Sequence, residues 1–389
     1  MKICATICEY NPLHYGHIKH LQFIKENLRP DLTAVFLSGN FVERGEPSIL
    51  DKYSRAVHAV KAGADIVFEL PTVFATANAE IFALGSLKLI NSLCGEKSVC
   101  FGTESNNLDN LYKVAKILID EPKSFTDELK LQLSSGNSFA RSRANALKKA
   151  LPLVDENDFL KPNNILAIEY IKAILKNGYD IKVKNVVREN SDYLSKELSD
   201  KNSSALAIRT ALEKGDKSAV KNSVPLFVFK DLPRALPDFS KEIIYSILNS
   251  EKYEIKGVLD CSEGLENKIK ECVKTNFTLE DIVGALKTKR YTETRIKRIL
   301  LAIMLGIQKD FTLKCLNSDL YLKVLAVNKD KVDALSYLSS SKYPLITRKS
   351  DATKLNGTAL ECFEKDLFSN SVYSANTKKK INGFEMKIV

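Results

Sequence analysis

Glu9-Tyr10-Asn11-Pro12-Leu13-His14-Tyr15-Gly16-His17 follows directly on the apolar run from Ile3 to Cys8, and this junction decides how the chain folds. The run has the length and composition of a buried β-strand, and the apolar positions Leu21, Phe23 and Ile24 begin a helix. Asn11-Pro12 is a turn-initiating pair that bends the chain out of the strand. The stretch is therefore a strand-to-helix turn, where unpaired backbone N–H groups and the positive end of the helix dipole gather. Such a turn suits the phosphates of a nucleotide. The chain has four histidines, and three of them, His14, His17 and His20, fall within seven residues here. Imidazole N–H groups of His14 and His17 would oppose the charge that builds on oxygen during nucleotidyl transfer. Gly16 would let the backbone approach the nucleotide closely. A zinc site made of the three histidines lacks a paired Cys or a second His cluster at ligand spacing, so no metal ligand is assigned.

Working outward, the first half alternates strand and helix. Leu32 to Leu37 reads as a strand that runs into the polar, glycine-bearing loop Ser38-Gly39-Asn40-Phe41-Val42-Glu43-Arg44-Gly45-Glu46-Pro47. Asp51 to Ala62 reads as a helix, Ala64 to Pro71 as a strand and Ala75 to Cys94 as one long helix. Ser98 to Phe101 is a further strand, leading into Gly102-Thr103-Glu104-Ser105. Charged helical segments from Leu108 to Leu151 break at Ser134-Ser135-Gly136-Asn137-Ser138, and Ile181 to Val187 is again a strand. The alternation predicts an α/β fold with a Rossmann-like, doubly wound parallel sheet, whose ligands bind at the carboxyl ends of the strands.

A boundary is expected near residue 220, giving a catalytic domain over 1–220 and a mainly helical domain over 221–389. Helices are predicted over Phe239 to Asn249, Leu279 to Lys287, Thr292 to Ile307 and Lys329 to Leu338, and the residues after Asn376 read as a basic, partly ordered tail. Charge separates the halves. Residues 201–389 hold 33 Lys and Arg against 23 Asp and Glu, while the first 200 residues hold 25 of each. An excess confined to one half suggests a polyanionic partner there, with the chemistry in the other. The densest patch, Lys287 to Arg298, sets six cations around Tyr291, a composition suited to RNA phosphates with base stacking and equally to a solvated helix face. The eight cysteines form no CxxC pair, and no apolar stretch approaches the ~20 residues of a membrane span, so a cytoplasmic protein without membrane partner is expected.

The segments EYNPLHYGH, SGNFVERGEP, ADIVFELP, FGTES, KPNNILAIEY and SSALAIR, in that order, resemble the bacterial tRNA(Met) cytidine acetate ligases of the HIGH-type nucleotidyltransferase superfamily. The likeness is close over the first two hundred residues and looser beyond, through RYTETRIKR. It implies a ligase that uses free acetate and ATP, with Mg²⁺ bound along with the nucleotide, to form N4-acetylcytidine at the wobble position of elongator tRNA(Met). Acetate would attack the α-phosphate to give acetyl-adenylate and pyrophosphate, and the cytidine amine would then displace AMP.

The resemblance assigns ATP contacts to Ile7, Cys8 and Glu9 at the strand end, to Tyr10, Asn11, Pro12 and Leu13 in the turn, and to His14, Tyr15, Gly16, His17, Ile18, Lys19 and His20 at the helix start. His14 and His17 are the catalytic pair. Gly102, one of Asn163 and Asn164 (Asn163 is favoured, though an N-cap role fits either), and Arg188 complete the set, with Arg209 ranked below them. The chain departs from the pattern at Glu43, where many relatives carry Gln. It departs again at Ala205 and Leu206, where hydroxyl residues are common, leaving Ser204 and Arg209 as phosphate candidates. A small-metabolite adenylyltransferase explains the histidine turn equally well but not the basic C-terminal half. A catalytically silent RNA-binding protein would not need the intact His14 and His17.

Overall fold

The computed structural model describes residues 1–187, 198 and 203–389. Its strands are β1 (Lys2–Cys8), β2 (Leu32–Ser38), β3 (Phe41–Val42), β4 (Glu46–Pro47), β5 (Ile66–Leu70), β6 (Glu96–Thr103), β7 (Ile181–Val187), β8 (Leu322–Val327), β9 (Leu345–Ile346) and β10 (Lys387–Ile388). The central sheet has the order β10-β8-β5-β2-β1-β6-β7, with β9 beside β8, while β3 and β4 form a separate hairpin. β2, β1, β6, β7 and β5 run parallel. Every residue of β2 and β5 is buried, as expected for parallel strands covered by helices on both faces. The chain leaves β1 toward β2 and β5 and returns to its other side for β6 and β7. The sheet therefore opens a crevice at the carboxyl ends of β1 and β6, the topological switch point.

The doubly wound α/β core agrees with the sequence reading, and four local expectations are corrected. Ala75 to Cys94 is not one helix. A short helix, Thr72–Ala75, ends before Asn78, whose side chain accepts the Ile81 N–H at 3.1 Å and starts a new helix, Ala79–Ser92. The chain beyond 221 is mainly helical as far as Leu316 but does not stay apart from the sheet. β8 pairs antiparallel with β5, and β10 pairs with β8. The run Leu322 to Val327 is buried throughout, with the Lys323 ammonium satisfied by the Glu385 carbonyl at 3.1 Å.

For the same reason the terminal segment is not a loose tail, since the Tyr53 hydroxyl also donates to the Asn382 carbonyl at 2.7 Å. Lys329 to Leu338 is a short 3-10 turn, Lys329–Lys331, followed by the helix Ala334–Leu338. Among the described residues no helix is long and apolar enough to cross a membrane.

Candidate active site

The turn after β1 opens with Tyr10 in the left-handed region, at φ 47°. The Asn11 side-chain oxygen accepts the Ile49 N–H at 2.8 Å, and Arg209 donates to the Asn11 carbonyl at 2.8 Å, so the turn is held from both sides. Helix α1 (Tyr15–Phe23) then begins with histidine in both capping roles. His14 Nδ1 accepts the Gly16 N–H at 3.1 Å, and His17 Nδ1 accepts the His14 N–H at 3.2 Å.

An imidazole that accepts at Nδ1 carries its proton on Nε2, so this reciprocal cap defines both histidines as Nε2–H donors. Their rings stack with centroids 3.8 Å apart, and the Tyr10 ring lies 4.8 Å from His17. Gly16 has a specific part in this. A Cβ there would stand 2.9 Å from His14 Cε1, so glycine leaves room for the ring that caps the helix.

The other expected residues gather around this turn. His20 meets Cys100 Sγ of β6 at 3.4 Å and so ties α1 across the crevice to that strand. Gly102 stands near the end of β6, opposite Val186 of β7. Just beyond the strand, Glu104 caps the helix Pro162–Asn177. It takes the N–H groups of Asn163 at 3.3 Å and Asn164 at 3.0 Å, and also the Asn163 side-chain amide. The Asn164 side-chain oxygen accepts the Glu104 N–H at 2.9 Å, and Asn164 is fully buried, whereas Asn163 is half-buried.

Along the turn itself Pro12 and Leu13 are buried, Ile7, Tyr15 and Ile18 are half-buried, and Lys19 is exposed. Burial pushes the Cys8 thiol up to about 11, which leaves it protonated at neutral pH. Arg188 lies outside the described residues. Among the described residues no group of three or more His, Cys, Asp and Glu is arranged to hold a metal ion.

The β2 side of the turn carries a charged network that the sequence does not announce. The β3–β4 hairpin lies on the helix Glu293–Leu305, with Gly45 at φ +73° so close that a Cβ there would collide with the Arg298 backbone nitrogen. Arg298 donates to Glu43 Oε1 at 2.9 Å, and Lys297 donates to Glu46 Oε1 at 2.9 Å and Glu293 Oε1 at 3.0 Å. Arg295 donates to the Asp260 carbonyl at 2.7 Å, with its guanidinium 4.4 Å from the Tyr291 ring centroid. Much of the basic patch is thus turned onto the protein's own acids and carbonyls.

Glu43 in turn donates its N–H to Glu9 Oε1 at 2.9 Å. Burial and the neighbouring Glu43 charge lift the Glu9 carboxyl above the usual range, against Arg209 and Arg44. Beneath them helix α2 (Lys52–Lys61) supplies Arg55, fully buried, which donates to the carbonyls of Glu9 at 2.6 Å, Ser38 at 3.0 Å and Leu50 at 2.9 Å, and also to that of Gly39. One guanidinium therefore braces the ends of β1 and β2. Its partners are backbone carbonyls, which leave no trace in side-chain pattern.

Comparison with known proteins covers the whole chain. A family model described as HIGH Nucleotidyl Transferase matches residues 1–386. The tRNA(Met) cytidine acetate ligase of Thermoanaerobacter sp. (strain X514) is 40% identical over 390 residues, covering 96% of this chain and 95% of that protein. The Clostridium acetobutylicum protein of the same name is 36% identical, covering 97% and 96%. The crystal structure of Thermotoga maritima TmcAL (apo, form I) superposes with a TM-score of 0.92 at 28% identity over 100% of both chains. The same protein bound with alpha-thio ATP gives a TM-score of 0.87 at 29% identity over 100% of both chains. The chain belongs to the HIGH nucleotidyltransferase family, and within it to the tRNA(Met) cytidine acetate ligases.

Proposed function

We propose that this protein joins acetate to N4 of the wobble cytidine of elongator tRNA(Met), driven by cleavage of ATP to AMP and pyrophosphate. The observation that carries the reading is the pair of stacked Nε2–H donors, His14 and His17, at the start of α1 beside the β1/β6 crevice. An acetate oxygen attacks the α-phosphate, the bond to pyrophosphate breaks, and acetyl-adenylate results. The two imidazole donors and the backbone N–H groups of the helix start stabilise the charge that develops on the phosphate oxygens. Preorganised donors of this kind are usually the main source of rate enhancement in such a transfer.

ATP is held along Ile7 to His20, by Gly102 and Asn163 across the crevice, and by Arg188. Mg²⁺ comes with the ATP phosphates, as this ion usually keeps its waters rather than entering an all-protein cage. In the second half-reaction the cytidine amine attacks the activated carbonyl and AMP leaves. Catalysis belongs to residues 1–220, and the positively charged 221–389 half meets the tRNA. The reaction is placed in the cytoplasm, where tRNA is its substrate.

The test is incubation of the protein with ATP, Mg²⁺, radiolabelled acetate and an unmodified elongator tRNA(Met) transcript, followed by nucleoside analysis. ATP-dependent label in N4-acetylcytidine is the expected result. Absence of label, with a phosphorylated metabolite adenylylated instead, would overturn it.

A further inference from the structure

The proposed reaction needs a proton acceptor. The cytidine amine is a weak nucleophile, and it must shed a proton as its bond to the acetyl carbon forms. The histidine pair is committed as donors, because both Nδ1 atoms accept backbone N–H groups. A base must therefore come from elsewhere on the rim of the same turn.

Glu9 occupies that place. It is the first residue beyond β1, and the nucleotide candidates Gly102 and Asn163 lie on the opposite, β6 side of the turn. Its carboxyl faces the β2 side, where the hairpin donates the Glu43 N–H to Oε1 at 2.9 Å. That single bond and the Arg55 hold on its own carbonyl at 2.6 Å fix the residue at both ends. Glu9 is half-buried, and among the described residues Oε2 takes part in no hydrogen bond.

We infer that Glu9 is the general base of acetyl transfer, its Oε2 taking the proton from the cytidine N4 amine. This inference rests on the acetyl-adenylate reading above. The balance is complete. The N4–carbonyl bond forms, the carbonyl–phosphate oxygen bond breaks, AMP departs with that oxygen, and the proton passes to the Glu9 carboxylate. The charged groups around Glu9 are consistent with the task. Glu43 and burial raise its proton affinity, while Arg209 from the helix Ala205–Glu213 and Arg44 from the hairpin oppose them. Arg55 lies beneath, and Arg298 holds Glu43 at 2.9 Å from the far side. A carboxylate lifted above its usual range is a stronger base than an ordinary exposed one.

Two readouts separate the half-reactions in the full-length protein: acetate-dependent exchange of labelled pyrophosphate into ATP, and N4-acetylcytidine formed in the tRNA transcript. Glu9→Gln keeps an oxygen for the Glu43 N–H and removes the basicity; because Glu9 also lies in the ATP-holding segment, the variant is read by the ratio of transfer to exchange and not by either rate alone. The expected result is a ratio of transfer to exchange lowered about 100-fold, within the usual range for losing a general base. In the wild type, transfer rises with pH through the Glu9 ionisation, and this limb disappears in Glu9→Gln. Glu9→Asp, which retains a carboxylate, recovers part of the transfer and restores a pH-dependent limb. Unchanged transfer in Glu9→Gln, or transfer and exchange falling in step in both variants, overturns the assignment. Wild-type protein that forms N4-acetylcytidine without any pyrophosphate exchange overturns the acetyl-adenylate reading, and this inference with it.

Discussion

Arg298 donates to the Glu43 carboxylate at 2.9 Å across 255 residues of chain, and through that contact the basic helix of the C-terminal half is fastened to the hairpin above β1. Both side chains are mostly shielded, at 16% and 28% exposure, so the pair is less screened than a surface bridge. Arg298→Ala is expected to lower N4-acetylcytidine formation about tenfold, or ~1.4 kcal/mol of barrier, by loosening the hairpin beside Glu9. The salt dependence of tRNA binding should stay as in the wild type. A slope shallower by about one counterion would instead place Arg298 on an RNA phosphate.

His17→Ala removes one Nε2–H donor and the acceptor of the His14 N–H together. Acetate-dependent pyrophosphate exchange should fall by about 10²- to 10³-fold, the usual loss for one oxyanion donor. Equilibrium binding of tRNA, followed by filter retention, should change little. Undiminished exchange would remove His17 from the phosphate site.

Gly16→Ala tests the geometry rather than the chemistry. The added methyl would stand 2.9 Å from His14 Cε1, so the imidazole must move to admit it. Alanine also favours the helix by up to ~1 kcal/mol over glycine. Exchange should drop about tenfold while the unfolding midpoint holds or rises. Full activity would show that the ring position is not critical.

Lys52→Met addresses a buried pair beneath the site. Lys52 Nζ donates to both Glu69 oxygens at 2.6 and 2.7 Å, and both side chains are sealed from solvent. Removing the ammonium leaves a buried carboxylate without its cation, a loss of about 3–5 kcal/mol. Urea unfolding at neutral pH measures it. The double variant Lys52→Met with Glu69→Leu should recover much of the loss.

Asp366 carries a pH dependence. It accepts the Thr72 N–H at 2.7 Å and the Tyr321 hydroxyl, and burial, with the Glu69 charge, pushes its carboxyl up from 3.8 to about 7. A folded-state value above the unfolded one means that stability is fully present below about 3.8 and is lost as pH rises through about 7. Asp366→Asn keeps an acceptor for Thr72 without the titration. Its unfolding free energy should therefore fall less than that of the wild type between pH 4 and 7. Parallel curves for the two proteins would rule this out.

The positions that the sequence misassigned or left open share a cause. Residues Leu322 to Val327 escape notice among helices because a short apolar run has no period that separates strand from buried helix, and its pairing strand β5 lies far back in the sequence. The cations of Lys287 to Arg298 suit an RNA surface and a solvated helix face equally in sequence, because the partners that Arg298, Lys297 and Arg295 find in Glu43, Glu46 and the Asp260 carbonyl are remote along the chain. The Asn163-Asn164 ambiguity persists in sequence because either residue suits a helix start. In the fold their surroundings differ, with Asn164 sealed onto Glu104 and Asn163 less buried.

What the sequence by itself determined was the local machinery: an apolar strand, a turn and a helix start with His14, Gly16 and His17 at fixed spacing. Strand period, capping and dipole all act between residues a few positions apart, so they are legible in one stretch of chain. Only the tertiary structure decided which charges meet. The Arg55 clamp on the ends of β1 and β2, the Arg298–Glu43 bridge and the setting of Glu9 depend on backbone carbonyls and side chains brought together by sheet order. A linear pattern records neither, because electrostatic partnership is set by distance in space and by burial rather than by position along the chain.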